Sequence, residues 1–424
     1  MSWRIETKCI QEGYRPKNGE ARVLPVYQST TFLYESAQAM GDLFDLKAAG
    51  AFYTRLGNPT TNAVEAKVAA LEGGVGAMMT SAGQAASLIS VINIAHAGDH
   101  IISGSAIYGG TFNLFNKTLR ELGIDVTFLE PDATDEELEA AFRPNTRLVF
   151  GESLSNPALR VLDIEKWAKH AHAHNVPLIV DNTFPTPIHC RPFEFGADIV
   201  VHSTSKYLDG HATALGGIVV DSGNFDWEAA GKFPELTTPD ETYHGVIYTK
   251  QFGKAAYITK ARTHIMRDIG STPSPTNAFL LSQGIDTLHL RMQRHVENAR
   301  AVADFLLHDD RITFVQFPEL PDSKDYALVQ KYMPNGTCGV ISFGVKGGRE
   351  AAIKFMDGLK LAAIATHVAD LRTCVLHPAS TTHRQLSDEQ LRECGVTPDL
   401  IRFSVGIENA QDIIDDIRQA LDAL

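Results

Sequence analysis

Cysteine pairs, membrane-length apolar runs and clustered basic residues are all missing from this sequence of 424 residues. The cysteines are odd in number and none form a C-x-x-C pair, so a reduced, cytoplasmic setting is predicted; they are Cys9, Cys190, Cys338, Cys374 and Cys394. No apolar run approaches the length of a bilayer span, and residues 1–6 lack the apolar core of a signal peptide. Because the formal net charge is −13 and no basic run occurs, nucleic acid is not an expected partner.

Two familiar site patterns are incomplete. The dinucleotide-binding pattern G-x-G-x-x-G must directly follow a strand, whereas the glycines at 73–76 precede a predicted strand and have the wrong spacing. The histidines of a predicted helix at 163–174 invite a metal interpretation, because His170 and His174 share a helix face. With His172 they alternate with other residues, and no H-E-x-x-H pattern is present. We interpret them as residues of a surface helix, and no metal is expected.

The composition is that of a globular protein, with 44% hydrophobic and 21% charged residues. The length is ample for a large core and more than one domain. Residues 1–58 contain few periodic runs, so we expect an arm that packs on another body, with a neighbouring subunit as a candidate. Residues 59–270 alternate helical and strand patterns, and residues 271–424 mix the two types.

The alternating region predicts an α/β fold, with a mostly parallel sheet covered by helices on both faces. Its predicted strands are 77–80, 100–102, 125–129, 146–150, 177–180, 198–201 and 217–220. The last region predicts a smaller α+β domain with a long helical stretch over 275–307, a strand at 339–345 and a terminal helix at 411–424.

The stretch at 200–211, V-V-H-S-T-S-K-Y-L-D-G-H, carries the most information. An apolar strand pattern ends at Val201 and is followed by Ser203, Ser205 and Lys206. A lysine at the carboxyl end of a strand in an α/β sheet faces the crevice where such sheets bind ligands. An amine for a Schiff base and hydroxyls for a phosphate ester are what pyridoxal phosphate requires.

A second strand pattern, at 176–180, ends in Asp181 one strand earlier. A carboxylate at that place can hold a proton on the pyridine nitrogen of the cofactor, so that the ring withdraws electrons from a carbanion. Asp181 and Lys206 are therefore predicted catalytic residues. The alternative for Asp181 alone is a turn or helix-cap residue, which aspartate often is.

These motifs, from Y-Q-S-T-T-F at 27–32 to I-R-F-S-V-G-I-E at 401–408, run nearly end to end in order. The chain resembles the cysteine/methionine-metabolism family of pyridoxal-phosphate enzymes and is most similar to its O-acetylhomoserine sulfhydrylases. The resemblance implies the aspartate-aminotransferase-like fold (fold type I), with a mostly parallel sheet domain and a smaller C-terminal α+β domain.

The resemblance also implies how the cofactor is held. S-A-G-Q-A-A at 81–86 follows a strand and opens a helix, and helix N-termini bind anions. The phosphate is expected on the amides around Gly83 and Gln84, with Ser203 and Ser205 completing the cradle. Tyr108 is expected to lie flat against the pyridine ring and to assist proton transfer.

Further assignments follow from the resemblance. Tyr53 and Arg55 are expected to reach the phosphate in a neighbouring subunit, because the arginine fork suits phosphate. Shared sites of this kind imply a homo-oligomer, expected to be a tetramer built from dimers. Tyr53 is also expected at the substrate.

For the substrate itself, the resemblance implies that Arg402 grips the α-carboxylate. Asn156 is expected near both the cofactor hydroxyl and that carboxylate. Thr373 matches a hydroxyl that binds backbone. H-P-A-S-T-T-H at 377–383 is a family signature to which we assign a structural, site-shaping role.

The implied reaction is γ-replacement on O-acetyl-L-homoserine with sulfide or a thiol, giving L-homocysteine or methionine and acetate. Cystathionine γ-synthase, cystathionine β-lyase and methionine γ-lyase share most of these residues and stay open as alternatives. The chain length, the segment 223–245 and Gly110, where γ-lyases usually carry cysteine, favour the sulfhydrylase. A cofactor-free binding protein on the same fold is opposed by retention of the site residues. The sequence leaves four points open. They are the preference for an acetyl or a succinyl ester, the preferred thiol acceptor, a dimeric or tetrameric state, and a biosynthetic or salvage role.

Overall fold

The computed structural model describes residues 3–381, 384 and 397–424. Thr382, His383 and Cys394 lie outside the described residues. The strands are β1 Gly76–Thr80, β2 His100–Gly104, β3 Asp125–Leu129, β4 Thr146–Glu152, β5 Leu178–Asp181, β6 Ile199–Ser203, β7 Gly217–Asp221, β8 Ile312–Gln316, β9 Val340–Val345, β10 Ala363–Ile364, β11 Cys374–Leu376 and β12 Leu400–Ser404.

The described α-helices fall between and around these strands. They are α1 Ile5–Gln11, α2 Ala37–Phe44, α3 Pro59–Glu72, α4 Gly83–Ile92, α5 Gly109–Asn113, α6 Asp135–Ala141, α7 Ile164–Ala173, α8 Thr186–His189, α9 Trp227–Ala230, α10 Pro234–Thr237, α11 Tyr248–Phe252, α12 Ala256–Lys260, α13 Arg267–Ile269, α14 Pro275–Asp286, α15 Leu288–Leu307, α16 Tyr326–Tyr332, α17 Gly348–Gly358 and α18 Ala410–Asp422. Within the described ranges, no helix is both long and apolar enough to cross a membrane.

The larger sheet has the order β1-β7-β6-β5-β4-β2-β3. All neighbours are parallel except β7, which runs antiparallel to both β1 and β6. Its strands are apolar on both faces: Ile199 and Val201 of β6 enter one core cluster, while Val200 enters the cluster on the opposite face. Because alternate side chains of a strand point to opposite faces, this pattern requires cover on both sides.

The smaller sheet has the order β10-β11-β12-β9-β8. Helices α15, α17 and α18 pack on it around an apolar cluster that includes Phe343, Phe355 and Phe403. The helical stretch predicted over 275–307 consists of two helices, α14 and α15, which meet at Thr287. Each predicted strand begins and ends within two residues of the observed one, and β2, β4 and β6 each extend two residues beyond the prediction. In the smaller sheet only β9 was predicted.

The N-terminal arm begins with a helix that packs on its own chain. Cys9 of α1 is buried, α1 contacts α3, α14 and α15, and the Lys8 ammonium donates to the carbonyl of Ala70 at 2.9 Å. Farther along, Val23, Leu33 and Phe44 keep more than half of their surface exposed. Exposed apolar side chains grouped in one segment are suited to cover by a partner, and the arm's contact with a neighbouring subunit stays a prediction.

Candidate active site

Polar side chains gather where the strands of the larger sheet end. Glu152, Asp181 and Ser203 are the last residues of β4, β5 and β6, and Lys206 follows in the next turn. The smaller domain contributes Arg402 from β12, and also the loop between β10 and β11. The site therefore lies at the carboxyl edge of a parallel sheet, where α/β proteins bind ligands.

Lys206 is a mostly buried amine without a carboxylate partner among the described side chains. Its Nζ lies 3.5 Å from Nδ1 of His367. Burial, and then the positive charge of Arg402, lower the pKa of Lys206 to about 8. Since only a neutral amine is nucleophilic, this environment prepares the lysine for bonding to an aldehyde.

Asp181 is held in place by the residue two positions ahead. One of its carboxylate oxygens, Oδ1, accepts from the amide of Thr183 at 3.0 Å and from its hydroxyl at 2.5 Å. The same hydroxyl accepts from the amide of Ser203 at 2.9 Å, which joins the ends of β5 and β6. Burial raises the pKa of Asp181, while the Thr183 hydrogen bonds and the charge of His202 lower it. Its Oδ2 makes no hydrogen bond to any described residue, so one oxygen is left for a ligand.

Glu152 is a site residue that the sequence reading did not single out. It lies opposite Asp181 in the β4–β5 register, and its Oε2 accepts from the amide of Tyr108 at 2.6 Å. Burial, and then the negative charge of Asp181, raise the pKa of Glu152 well above its usual range. The carboxyl group thus fixes the loop that presents Tyr108. The available signal was a glutamate at the end of a buried strand.

Replacing Glu152 separates its hydrogen-bonding role from its charge. In Glu152→Ala the partly buried amide of Tyr108 loses its acceptor, which we expect to cost about 1 kcal/mol of unfolding free energy and to lower kcat/KM. Glu152→Gln keeps an amide oxygen in place, so its unfolding free energy and its kcat/KM should both stay close to wild type. Denaturant unfolding and steady-state kinetics measure the two effects. Equal losses in both variants would mean that the carboxyl group itself is required.

The cradle expected for a phosphate is present at the start of α4. A Cβ on Gly83 would lie 2.6 Å from Cβ of Ser203, so only glycine allows this approach of helix and strand. No described side chain caps α4, which leaves amides of its first turn for an anion. The Ser203 hydroxyl lies alongside. This donor set and the glycine-dependent approach fit a phosphate ester.

Ser205 and Gln84 already have partners within the chain. Ser205 Oγ donates to the carbonyl of Gly216 at 3.2 Å and accepts from its amide at 2.9 Å. The side-chain oxygen of Gln84 accepts from the hydroxyl of Thr111 at 3.0 Å. The backbone amide of Gln84 stays available to an anion, and the roles of that amide and of the Ser205 hydroxyl at the phosphate stay predictions.

Arg402 is a buried cation with an unused donor. Its Nη1 donates to Oδ1 of Asn156 at 3.4 Å and its Nη2 donates to the carbonyl of His367 at 2.9 Å. Its Nε is buried and has no hydrogen-bond partner in the described part of the chain, nor does any described carboxylate form an ion pair with it. A guanidinium in this state is suited to an anionic ligand, such as a substrate carboxylate.

Three predicted residues make no contact with this cluster among the residues that the structure describes. The Thr373 hydroxyl donates to Glu408 at 2.9 Å and accepts from the amide of Gly406 at 2.9 Å, so it is used inside the protein. Arg55 donates to the carbonyl of Arg267 and lies 5.4 Å from the ring centroid of Tyr53. Their assignments to substrate and to a neighbouring subunit's phosphate stay predictions.

His170 and His172 of α7, and His174 directly after it, contact carboxylates. His170 Nε2 lies 3.1 Å from Asp135, His174 Nε2 lies 2.9 Å from Glu139, and His172 contacts Asp198 of the sheet domain. No group of three or more His, Cys, Asp or Glu side chains within the described residues is arranged to hold a metal ion.

Known proteins match this chain over its full length. The family model for Cys/Met metabolism PLP-dependent enzymes matches residues 6–422. An O-acetyl-L-homoserine sulfhydrylase of Leptospira meyeri is 43% identical, over 99% of this chain and 97% of its own. A homocysteine synthase of Schizosaccharomyces pombe is 44% identical, over 99% of both. An O-acetyl-L-homoserine sulfhydrylase of Corynebacterium glutamicum is 45% identical, over 100% of this chain and 98% of its own.

Solved structures agree with the sequence relatives. A crystal structure described as an O-acetylhomoserine (thiol)-lyase of Campylobacter jejuni, which holds N'-pyridoxyl-lysine-5'-monophosphate, has a TM-score of 0.95 and 35% identity, over 99% of this chain and 100% of its own. The metB protein of Corynebacterium glutamicum has a TM-score of 0.84 and 34% identity, over 100% and 98%. The predicted fold type I architecture and pyridoxal phosphate dependence are confirmed, and the chain belongs to the Cys/Met metabolism family of PLP-dependent enzymes.

Proposed function

We propose that this protein replaces the acetate of O-acetyl-L-homoserine with sulfide or a thiol, giving L-homocysteine or methionine. Full-length relatives named O-acetyl-L-homoserine sulfhydrylase and homocysteine synthase, at 43% to 45% identity, support this reaction. In the structure, the observation that supports it most is a mostly buried Lys206 at the carboxyl edge of the sheet, whose pKa is lowered to about 8 by burial and then by the positive charge of Arg402.

Pyridoxal phosphate, when bound, supplies an aldehyde that joins the substrate amine and a ring that withdraws electrons from the α carbon. Lys206 would carry the cofactor and, as a neutral amine, would move protons at the α and β carbons. The free Oδ2 of Asp181 would hold the proton of the pyridine nitrogen. The amides at Gly83 and Gln84, with Ser203, would hold the phosphate.

Arg402 orients the amino acid through its α-carboxylate, with Asn156 beside it. The bond between the γ carbon and the ester oxygen breaks, acetate leaves, and sulfur forms the new bond to that carbon. Tyr108, whose backbone amide is held by Glu152, is the aromatic side chain that we expect against the cofactor ring.

Removing the guanidinium should weaken substrate binding more than turnover. Arg402→Ala loses charge-assisted hydrogen bonds of about 1.5–3 kcal/mol each, so KM for O-acetylhomoserine should rise by roughly ten- to a hundredfold with a smaller change in kcat. Arg402→Lys should recover part of the loss. Arg418→Ala, an exposed arginine paired with Asp415, is the control. An unaltered KM would place the carboxylate elsewhere.

We further propose a cytoplasmic homotetramer built from dimers in which Tyr53 and Arg55 complete the partner's site. The exposed apolar side chains of the arm and the absence of any contact of Arg55 with the described site residues support this arrangement. The five cysteines without a C-x-x-C pair support the compartment.

Mixing two inactive variants tests the shared site. Arg55→Ala and Lys206→Ala, unfolded and refolded together in equal amounts, should regain about a quarter of the wild-type rate, since half of the dimers are hybrids with one intact site each. Each variant refolded alone gives the baseline. A mixture that stays at this baseline would mean that Arg55 and Lys206 serve the same chain's site or that no site is shared.

The reaction itself is tested by product analysis. Purified protein with pyridoxal phosphate is given O-acetylhomoserine or O-succinylhomoserine, each with sulfide, methanethiol or cysteine. Sulfide-dependent homocysteine from the acetyl ester is the expected main product. Cystathionine from cysteine, with little use of sulfide, would instead identify a cystathionine γ-synthase.

A further inference from the structure

A histidine from the smaller domain lies against the catalytic lysine. His367 belongs to the loop between β10 and β11, and its Nδ1 is 3.5 Å from Lys206 Nζ. Its backbone carbonyl accepts from Arg402 at 2.9 Å and from the thiol of Cys374 at 3.3 Å. These contacts fix the loop, so the position of the ring beside the amine is determined by the fold.

The other ring nitrogen of His367 is unused. Nε2 is buried and finds no hydrogen-bond partner among the residues described. A buried polar atom without a partner is costly, so this nitrogen is suited to a polar group that arrives with a substrate. One nitrogen thus faces the lysine, and the other is open to a ligand.

Burial and the neighbouring cations favour the neutral form of the His367 ring. Burial, and then the positive charge of Lys206, lower the pKa of His367 below its ordinary value. Charged groups from every neighbouring element act on it; they are Lys206, Asp370, Arg402 and Asp209. A neutral imidazole can take up a proton at one nitrogen and release one from the other.

Other titratable groups near Lys206 are occupied or unsuited to the same task. Asp181 is bonded to Thr183, and Glu152 to the amide of Tyr108. Burial raises the pKa of the Cys374 thiol, which makes it a poor base. Compared with these three groups, His367 is a base with one ring nitrogen beside the reacting amine and the other without a partner in the described part of the chain.

We propose that His367 is the general base that deprotonates the incoming sulfide or thiol. The S–H bond breaks, the proton goes to Nε2, and sulfur forms its bond to the γ carbon that acetate has left. The proton on Nδ1 is passed across the contact to Lys206, which delivers it to a substrate carbon. This role rests on the proposed γ-replacement and adds the group that activates its second substrate.

The test compares release of acetate with capture of sulfide. In His367→Gln and His367→Ala, the fraction of released acetate that is matched by homocysteine should fall by about tenfold or more, because general base catalysis typically contributes about 10²–10⁴-fold. The remainder should appear as the α-keto acid and ammonia. The loss of homocysteine relative to released acetate should become smaller as the pH rises, because sulfide then loses its proton to solvent. Added imidazole should restore capture in His367→Ala.

Controls separate this role from a structural one. The visible absorbance of the bound cofactor, measured first across the pH range, reports whether the lysine linkage survives in each variant. His308→Gln, the same change at an exposed position beyond α15, should leave the capture fraction as in wild type. Homocysteine formation by wild type tests the proposed reaction separately.

The proposal would be overturned if the capture fraction were unchanged in both His367 variants. It would also be overturned if acetate release and homocysteine formation fell in parallel and imidazole restored neither. The proposal would also be overturned if the capture fraction fell in Tyr108→Phe but did not fall in the His367 variants. That result would assign the base to the tyrosine.

Discussion

Replacing Lys206 with alanine should abolish both covalent attachment of the cofactor and turnover. In the proposed mechanism this side chain supplies the amine that joins the aldehyde and the base that moves protons at the substrate carbons. Both roles need a neutral amine, which its lowered pKa of about 8 favours. We expect the rate to fall by more than about 10³-fold. The measurements are homocysteine formation and the visible absorbance that remains with the protein after borohydride reduction.

A second buried lysine provides the control for this experiment. Burial also lowers the pKa of Lys260 to about 8, but its Nζ donates to the carbonyl of Asn93 at 2.8 Å, away from the site. Lys260→Met should keep the cofactor and most of the rate, although it changes stability. A low lysine pKa alone therefore does not identify the catalytic residue. Turnover by Lys206→Ala near the wild-type rate would contradict the assignment.

Replacing Asp181 should leave cofactor bound but remove most of the rate. Asp181→Asn keeps the size of the side chain and its oxygen toward Thr183, yet cannot provide the negative charge that holds a proton on the pyridine nitrogen. We expect kcat to fall by about 10²–10³-fold, the range for loss of one preorganised electrostatic group. Single-turnover kinetics and cofactor content separate loss of chemistry from loss of binding.

Asp198→Asn is the matched control, because Asp198 is a buried carboxyl beside the other end of β6. It contacts His172 at 2.8 Å and the amide of Leu178 at 2.8 Å. This variant should lose stability and keep kcat once folded. A rate near wild type in Asp181→Asn would mean that Asp181 is not needed to hold the proton on the pyridine nitrogen.

Local pattern predicts the part of the site that lies at strand ends. Apolar runs stop at Asp181 and before Ser203 and Lys206, and parallel strands bring their carboxyl ends to one edge. The sheet, its helical cover and the smaller domain follow from the same periodicity. These features depend on a few residues at a time, which is why sequence alone predicts them.

Contacts between distant segments were not predictable in this way. Lys206 and His367 are 161 residues apart and meet only because the smaller domain packs against the sheet edge. Thr183 and Glu152 act through hydrogen bonds whose partners are set by strand register. The hydroxyl of Thr373 donates to Glu408, and no local sequence pattern predicts this contact.

The most direct test of the account asks which residue carries the cofactor. The purified protein with bound pyridoxal phosphate is reduced with borohydride, digested, and analysed by mass spectrometry for the modified peptide. We expect a pyridoxyl group on the peptide that contains residues 200–211, attached to Lys206. Attachment to another lysine such as Lys260, or no attachment in a protein that still forms homocysteine, would contradict it.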